Sequence, residues 1–163
     1  MAGASYAVGM LEAKRVSAWR NRYQLLADGY PLTVWEPSSW RPGGSIDLAG
    51  QRYQVRSGTW QTRFTMTDGT GAVIAEAERV GRKRWTVRAG PQTYQFQRAS
   101  WWRAEQVLMV YGRQVGWVRR PSMWRRDAVA DLPGLPLPVQ VFVLIVVLAM
   151  WQAQEHAAAS AGT

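Results

Sequence analysis

The sequence predicts a mainly β protein, an antiparallel closed or nearly closed barrel of about 9–12 strands around one buried hydrophobic C-terminal helix. Two observations predict this fold. Between residues 23 and 119, segments with apolar side chains at every second position alternate with turn signals, at the spacing typical of sandwiches and barrels. Residues 141–151 are then uninterruptedly apolar, and such a segment must be enclosed on every side by protein or by lipid.

The start of the chain is weakly patterned. Residues 6–8 are a candidate first strand, and residues 10–19 are a candidate short helix. From Tyr23 the apolar period becomes two. The pair Asp28-Gly29 is typical of a two-residue hairpin turn, so the first clear hairpin surrounds it.

The middle of the chain continues as hairpins. One turns at residues 49–51, and the next turns at residues 68–71. Before that second turn, one face is predicted to carry the apolar or small residues Trp60, Thr62, Phe64 and Met66. After it, the strand 72–80 has alanine at two positions of its predicted inner face, which leaves room for a thick neighbour such as a helix.

The last strands lie between residues 84 and 119, with turns at 81–84, 90–91 and 112–113. Residues 125–134 break the alternation and lead to the apolar run. Nine or ten strands are therefore evident.

The apolar run fits a core helix better than a membrane span. Pro138 suits the first turn of a helix, where its missing N–H costs nothing. Residues 141–151 would cover roughly 16 Å, whereas a bilayer core needs about 30 Å. We therefore expect one domain, residues 1–152, with a central helix at 138–152 and a flexible tail at 153–163. The helix residues expected in the core are Val141, Phe142, Leu144, Ile145, Leu148 and Trp151.

The alternative is a tail-anchored membrane protein, in which residues 137–153 form the transmembrane helix and the β domain is cytoplasmic. Arg125 and Arg126 precede the run and no basic residue follows it, as the positive-inside rule would require. The sequence leaves this alternative open.

Composition limits the possible chemistry. The chain has no cysteine and one histidine, so we expect neither a disulfide nor a metal site, and no cofactor is indicated. Twenty basic residues give a net charge of +9, which attracts partners that carry phosphate. Because no secretory signal is visible, we expect a cytoplasmic, membrane-associated or soluble protein.

Basic clusters are the candidate functional residues. Arginine binds phosphate through two parallel hydrogen bonds, and tryptophan is enriched at membrane interfaces. We expect an anionic phospholipid surface as the partner in preference to nucleic acid, because no nucleic-acid-binding motif is present. The open alternative is that these basic turns are simply solvated and bind no ligand. The candidate residues are Arg82, Lys83, Arg84, Arg119, Arg120, Trp124, Arg125 and Arg126.

Catalytic constellations are not evident, so we expect no enzymatic activity. Glu76 and Glu78 share one strand face, where cross-strand arginines are their expected partners. Ser100 and Ser122 have no nearby histidine to activate them, since His156 falls in the predicted tail.

This succession of hairpins, exemplified by residues 64–75, 85–87 and 94–96 and followed by the helix at 141–151, resembles the tubby C-terminal-like superfamily, which includes phospholipid scramblases and LURP-one-related proteins. The resemblance covers roughly residues 23–152. It implies a non-enzymatic binding barrel, in tubby itself one that binds phosphoinositide headgroups through a basic patch, although no residue of that patch is matched here. The chain shows fewer strands than the twelve of that family, and it lacks the calcium-binding segment, cysteine cluster and proline-rich arm of scramblases. Lipid translocation is therefore not implied.

Overall fold

A computed structural model describes residues 9–17, 19–38, 43–100, 103–122 and 125–162. Within these residues, twelve strands precede one helix, α1 (Leu137–Ala161). The strands are β1 (Leu11–Arg15), β2 (Tyr23–Ala27), β3 (Tyr30–Trp35), β4 (Gly43–Leu48), β5 (Gln51–Ser57), β6 (Phe64–Thr67), β7 (Val73–Glu78), β8 (Arg84–Ala89), β9 (Gln92–Ser100), β10 (Arg103–Val110), β11 (Arg113–Arg119) and β12 (Ala128–Asp131).

The strands form one antiparallel sheet that closes almost completely into a barrel. Its order is β3-β2-β1-β12-β11-β10-β9-β8-β7-β6-β5-β4, so β1 and β12 pair with each other and β3 and β4 form the two edges. These edges lie side by side without a continuous ladder, and we call the line between them the seam. At one end of the seam the Ser38 N–H donates to the Gly43 carbonyl at 2.6 Å. The predicted nearly closed β-barrel is confirmed.

Helix α1 supplies the centre of the barrel. Pro138 lies in its first turn, and the side-chain amide of Gln140 donates to the Leu135 carbonyl at 2.8 Å. Six helix residues expected in the core are buried, namely Val141, Phe142, Leu144, Ile145, Leu148 and Trp151. At roughly 25 cal/mol per Å² of apolar area removed from water, this burial is a large favourable contribution to folding.

Alanine on the inner face marks the strands that lie closest to the helix. Among the strands, α1 contacts β7, β1 and β12 most extensively. Their buried inner positions include Ala13 of β1, Ala75 and Ala77 of β7, and Ala128 and Ala130 of β12. A side chain that ends at Cβ lets the sheet approach the helix backbone, so these alanines determine where the helix packs.

Two buried tryptophans, Trp85 of β8 and Trp151 of α1, are held by hydrogen bonds around one buried amide, that of Gln106. The Trp85 ring stacks on Phe96 with centroids 4.6 Å apart. Its Nε1–H donates to Gln106 Oε1 at 2.9 Å, while Gln106 Nε2 donates to the Ala104 carbonyl at 3.2 Å. Trp151 of α1 donates to that same carbonyl at 2.9 Å. The helix and the sheet are thus joined through polar groups that would otherwise be buried without partners.

Two strands differ from the sequence prediction. Residues 10–19 were expected to form a helix, yet they contain β1, and the irregular segment 125–134 contains β12. These strands pair with each other, with Leu11 opposite Ala130 and Ala13 opposite Ala128. Each is short and has alanine on its inner face, so long-range pairing rather than local propensity specifies them. The candidate strand at residues 6–8 lies outside the described residues.

The third hairpin begins later than predicted. Strand β6 starts at Phe64, so Trp60 and Thr62 lie in the preceding loop and not on an inner strand face. That loop is closed by a hydrogen bond from the Gly58 N–H to the Arg63 carbonyl, and Gln61 has a positive φ of 53°. The turn therefore displaces Trp60 to the surface.

The helix is longer than predicted. It was expected to end at residue 152, but it continues to Ala161, so most of the predicted flexible tail is helical. Alanine and glutamine are strong helix formers, and Glu155 in this extension pairs with Arg120. These interactions maintain the helix after it leaves the barrel.

Candidate functional site

The two ends of the barrel carry different loops. Because consecutive strands are antiparallel, the connections after β1, β3, β5, β7, β9 and β11 lie at one end, and those after β2, β4, β6, β8, β10 and β12 lie at the other. Helix α1 starts at the second end and emerges at the first. We call the first the exit end and the second the opposite end.

The structure brings the predicted basic residues to the exit end, where they form two clusters. Arg82 and Lys83 lie in the loop after β7, and Arg84 is the first residue of β8. The second cluster begins with Arg119, the last residue of β11, and continues through the connection to β12 with Arg120, Arg125 and Arg126. Trp124 lies outside the described residues.

The emerging helix contacts the second cluster and shares a groove with the first. Arg120 Nη2 lies 2.5 Å from Glu155 Oε1, and its guanidinium lies 4.6 Å from the centre of the Trp151 ring. Arg126 Nε lies 3.9 Å from the other oxygen of Glu155. On another side of the helix, Arg82 lines an open groove with Gln154.

The basic residues divide into engaged and free charges. Glu155 partly neutralises Arg120 and Arg126, and Arg119 lies 3.9 Å over the Trp117 ring. By contrast, four of the candidate cations, all of them exposed, form neither an ion pair nor a cation–π contact within the described part of the chain. They are Arg82, Lys83, Arg84 and Arg125. These four are available to an external anion.

Exposed tryptophans accompany these charges. Trp60, in the loop after β5, is 84% exposed, and Trp19, in the loop after β1, is 96% exposed. Trp60 lines the groove that also contains Arg82, Met150, Ala153 and Gln154, and we call this the exit groove. Neither tryptophan was among the predicted site residues, because Trp60 was assigned to a strand and Trp19 to a helix. The Gly58-Thr59 pair before Trp60 was the available signal for a turn.

The opposite end carries structural carboxylates at its turns. Asp28 accepts from the N–H groups of Gly9 and Met10 at 3.2 and 2.9 Å. Asp68 accepts from the hydroxyl of Thr70 at 2.6 Å and from backbone N–H groups. The Thr70 hydroxyl, aided by these backbone donors, lowers the pKa of Asp68. These acidic turns therefore lie at one end of the barrel, and the four free candidate cations lie at the other.

Two carboxylates on the barrel wall, Glu76 and Glu78 of β7, are paired with arginine. Glu76 lies directly opposite Arg88 in the β7–β8 ladder, with 2.5 Å between Oε2 and Nη2, and this contact raises the pKa of Arg88. Glu78 Oε1 lies 3.0 Å from Arg63 Nη2. The cross-strand partners expected for Glu76 are therefore present. Among the described residues, no group of three or more potential metal-ligating side chains is close enough to hold an ion.

By length and composition alone, α1 could also cross a membrane, with a mean hydropathy of 1.8 over its most apolar window. In the structure 67% of that window is buried inside the protein, as expected for a core helix.

Comparison with known proteins gives a distant structural similarity. No family model matches the chain, and no curated protein matches it. A solved X-ray structure of a protein from Arabidopsis thaliana is similar, at 14% identity and a TM-score of 0.39, over 88% of this chain and 91% of that one.

Proposed function

We propose that the protein is a non-enzymatic binding barrel that attaches to anionic phospholipid surfaces through its exit end. The observation that carries this proposal is the location of four free cations and two exposed tryptophans at the same end. Each lysine or arginine close to an anionic bilayer contributes about 1 kcal/mol of attraction. Tryptophan favours the headgroup layer because one part of its ring system is apolar and the other donates a hydrogen bond.

The positions of the free candidate cations and of the acidic turns support one orientation on the membrane. An anionic surface attracts the exit end and repels the acidic turns of the opposite end, so that the barrel axis would stand steeply on the bilayer. The engaged arginines, Arg120 and Arg126, would then hold the helix in place while the free ones contact lipid.

The proposed class of function agrees with the resemblance to the tubby C-terminal-like superfamily. The sheet has twelve strands, as in that family, although only nine or ten were evident from the sequence. We propose membership of that superfamily on this basis, without its scramblase activity, and we propose a cytoplasmic location facing anionic lipid.

Vesicle sedimentation tests the proposal. At low salt we expect more binding to vesicles containing phosphatidylserine than to purely phosphatidylcholine vesicles, and loss of this preference in the triple variant Arg82→Ala, Lys83→Ala, Arg84→Ala. Three lost charges correspond to about a hundredfold weaker binding. Equal binding to both kinds of vesicle by the unmodified protein would refute the proposal.

A matched control removes three arginines far from the exit loops. The variant Arg52→Ala, Arg88→Ala, Arg113→Ala has the same net charge as the test variant, and all three side chains are on the exposed surface. We expect it to retain most of the binding, because its changes lie away from the contact surface. Equal losses in the two variants would mean that overall charge, and not the exit end, drives association.

The tail-anchored alternative, with residues 137–153 in the membrane, stays a prediction. It requires the helix to leave the barrel and predicts insertion into neutral and anionic vesicles alike, with resistance to high salt. The sedimentation series therefore separates it from surface binding, which salt weakens.

A further inference from the structure

A second pocket opens beside the exit groove, where the barrel wall is incomplete. This pocket, which we call the seam pocket, lies where the exit-end portions of β3, β4 and β5 face α1, and it has a volume of about 180 Å³. Its apolar walls are formed by Trp35, Val55, Phe64, Ile145 and Leu148. β3 and β4 share no continuous ladder, and Ala149 and Gln152 of the helix are only half-buried at this point.

The helix presents a regular face to the seam pocket. Ile145, Leu148, Ala149 and Gln152 line it, and their spacing of three and four residues places them along one side of α1. Ala149 is the small member of this row, and its short side chain contributes to the open space.

The polar groups around the pocket carry no charge. Ser57, Gln61 and Gln152 line it, and no described charged side chain does so. A ligand part held here must therefore be uncharged and mainly apolar, because a charged group would lose its hydration without gaining a partner. The volume is below the roughly 300–1,000 Å³ of pockets that enclose a whole drug-sized ligand. It suits a segment of a narrow chain.

The seam pocket and the exit groove are neighbours. Gln61 lines both, so the loop after β5 separates them. On the groove side of this loop lie Arg82 and the exposed Trp60. An apolar slot next to a cationic groove complements a molecule with one hydrocarbon chain and an anionic head.

We infer that the seam pocket is a binding slot for a single acyl chain, whose anionic headgroup lies in the exit groove near Arg82. This inference rests on the proposed lipid-binding function and names the part of the lipid that the protein recognises beyond its charge. The chain can come from a free single-chain lipid or from a lipid of the bilayer, since the chemistry is the same.

Filling the slot tests the inference. Titration calorimetry would use myristoyl lysophosphatidate below its micellar concentration, with glycerol 3-phosphate as the headgroup alone. We expect tighter binding of the lysolipid than of glycerol 3-phosphate. Ala149→Leu should weaken lysolipid binding by about tenfold or more, since each methylene denied to the pocket costs about fourfold in affinity. Ser57→Leu fills the pocket from the strand side and serves as a second variant if the first does not fold.

Ala159→Leu is the matched control, because it enlarges the exposed end of the same helix. It should bind the lysolipid as the unmodified protein does. If folded Ala149→Leu and Ser57→Leu variants retain full lysolipid affinity, or if glycerol 3-phosphate binds as tightly as the lysolipid, the slot is refuted.

Vesicle sedimentation with the same variants identifies the source of the chain. A loss confined to the lysolipid indicates a free single-chain ligand, and a parallel loss with phosphatidylserine vesicles indicates a chain drawn from the bilayer. Both results support the slot. Failure of the surface-binding proposal can be told apart from failure of the slot. In the first case the unmodified protein would not prefer anionic vesicles, yet Ala149→Leu would still weaken lysolipid binding.

Discussion

At the scale of single residues, Gln106 links the sheet to the helix. Its amide accepts from Trp85 and donates to the Ala104 carbonyl, which also accepts from Trp151. Gln106→Leu should lower the free energy of unfolding by about 1–3 kcal/mol, because the indole N–H of Trp85 would be buried without an acceptor. Urea unfolding followed by tryptophan fluorescence measures this loss.

Gln95→Leu is the control for that experiment. Gln95 is exposed on the neighbouring strand β9, so the same replacement there should change stability by no more than about 0.5 kcal/mol. Equal losses at the two positions would show that the buried hydrogen bonds of Gln106 do not stabilise the protein.

Because of Asp68, we expect the free energy of unfolding to depend on pH in the acidic range. Its pKa in the folded protein lies below the ordinary value of 3.8, chiefly because of the Thr70 hydroxyl. A lowered folded pKa stabilises the protein above the unfolded pKa, and this stabilisation is lost as pH falls through the folded pKa. The advantage of the unmodified protein over Asp68→Asn should therefore be constant near neutral pH and shrink below about pH 4.

Urea midpoints of both proteins, measured across the acidic range, test this expectation. Asparagine does not titrate, so only the unmodified protein should lose stability as Asp68 is protonated. A difference in urea midpoint that stayed constant down to the lowest pH would contradict the expectation.

At the scale of elements, the outer part of α1 controls the charge that the exit end presents. Glu155 is the acidic partner of Arg120 and Arg126. Glu155→Gln should release their positive charge and strengthen binding to phosphatidylserine vesicles about fivefold, the effect of one further charge near the surface. Sedimentation at low salt measures the change.

Asp47→Asn is the matched control for this element. Asp47 pairs with Arg52 beside the turn at the opposite end, with 3.3 Å between Oδ1 and Nε. The control removes the same negative charge, yet it should leave vesicle binding almost unchanged. A gain equal to that of Glu155→Gln would argue against attachment by the exit end.

The central hairpins and the core helix were predictable because their signals are local. Asp28-Gly29 specifies a turn wherever it occurs between alternating strands, and the uniformly apolar helix had to be enclosed. Strands β1 and β12 were not predictable, because both are short and part of their pairing is with each other, across most of the chain. Their alanines became informative only once the position of the helix was known.

The candidate site was predictable only in part. Runs such as Arg82-Lys83-Arg84 are visible in the sequence, but which cations are free depends on Glu155, whose helical extension was read as a tail. The seam pocket combines residues from five strands and the helix, so it had no local signature. Trp60 was assigned to the core because alternation continues through the loop that exposes it.

At the scale of the whole molecule, the fold depends on the burial of α1. Val143 is fully buried at the centre of the barrel. Val143→Asp should abolish cooperative unfolding and the β-sheet circular dichroism, because an unpaired buried charge costs several kcal/mol of a total stability of about 5–15 kcal/mol.

Ala159→Asp, on the exposed end of the helix, should leave the fold intact and so controls for the introduction of an acid. The membrane-anchor alternative makes the contrary prediction for Val143→Asp, namely an intact β domain that has left the membrane. Circular dichroism with fractionation distinguishes these results.

The position of α1 after all twelve strands also has a consequence for biosynthesis. The ribosome releases every strand before the segment that fills them, and β1 must wait for β12 before the sheet can close. During this interval the inner faces of the strands have no core, and their edges are open to pairing with other chains. Completion of the fold is therefore tied to the emergence of β12 and α1 from the ribosome, which leaves the growing barrel dependent on slow, long-range contacts.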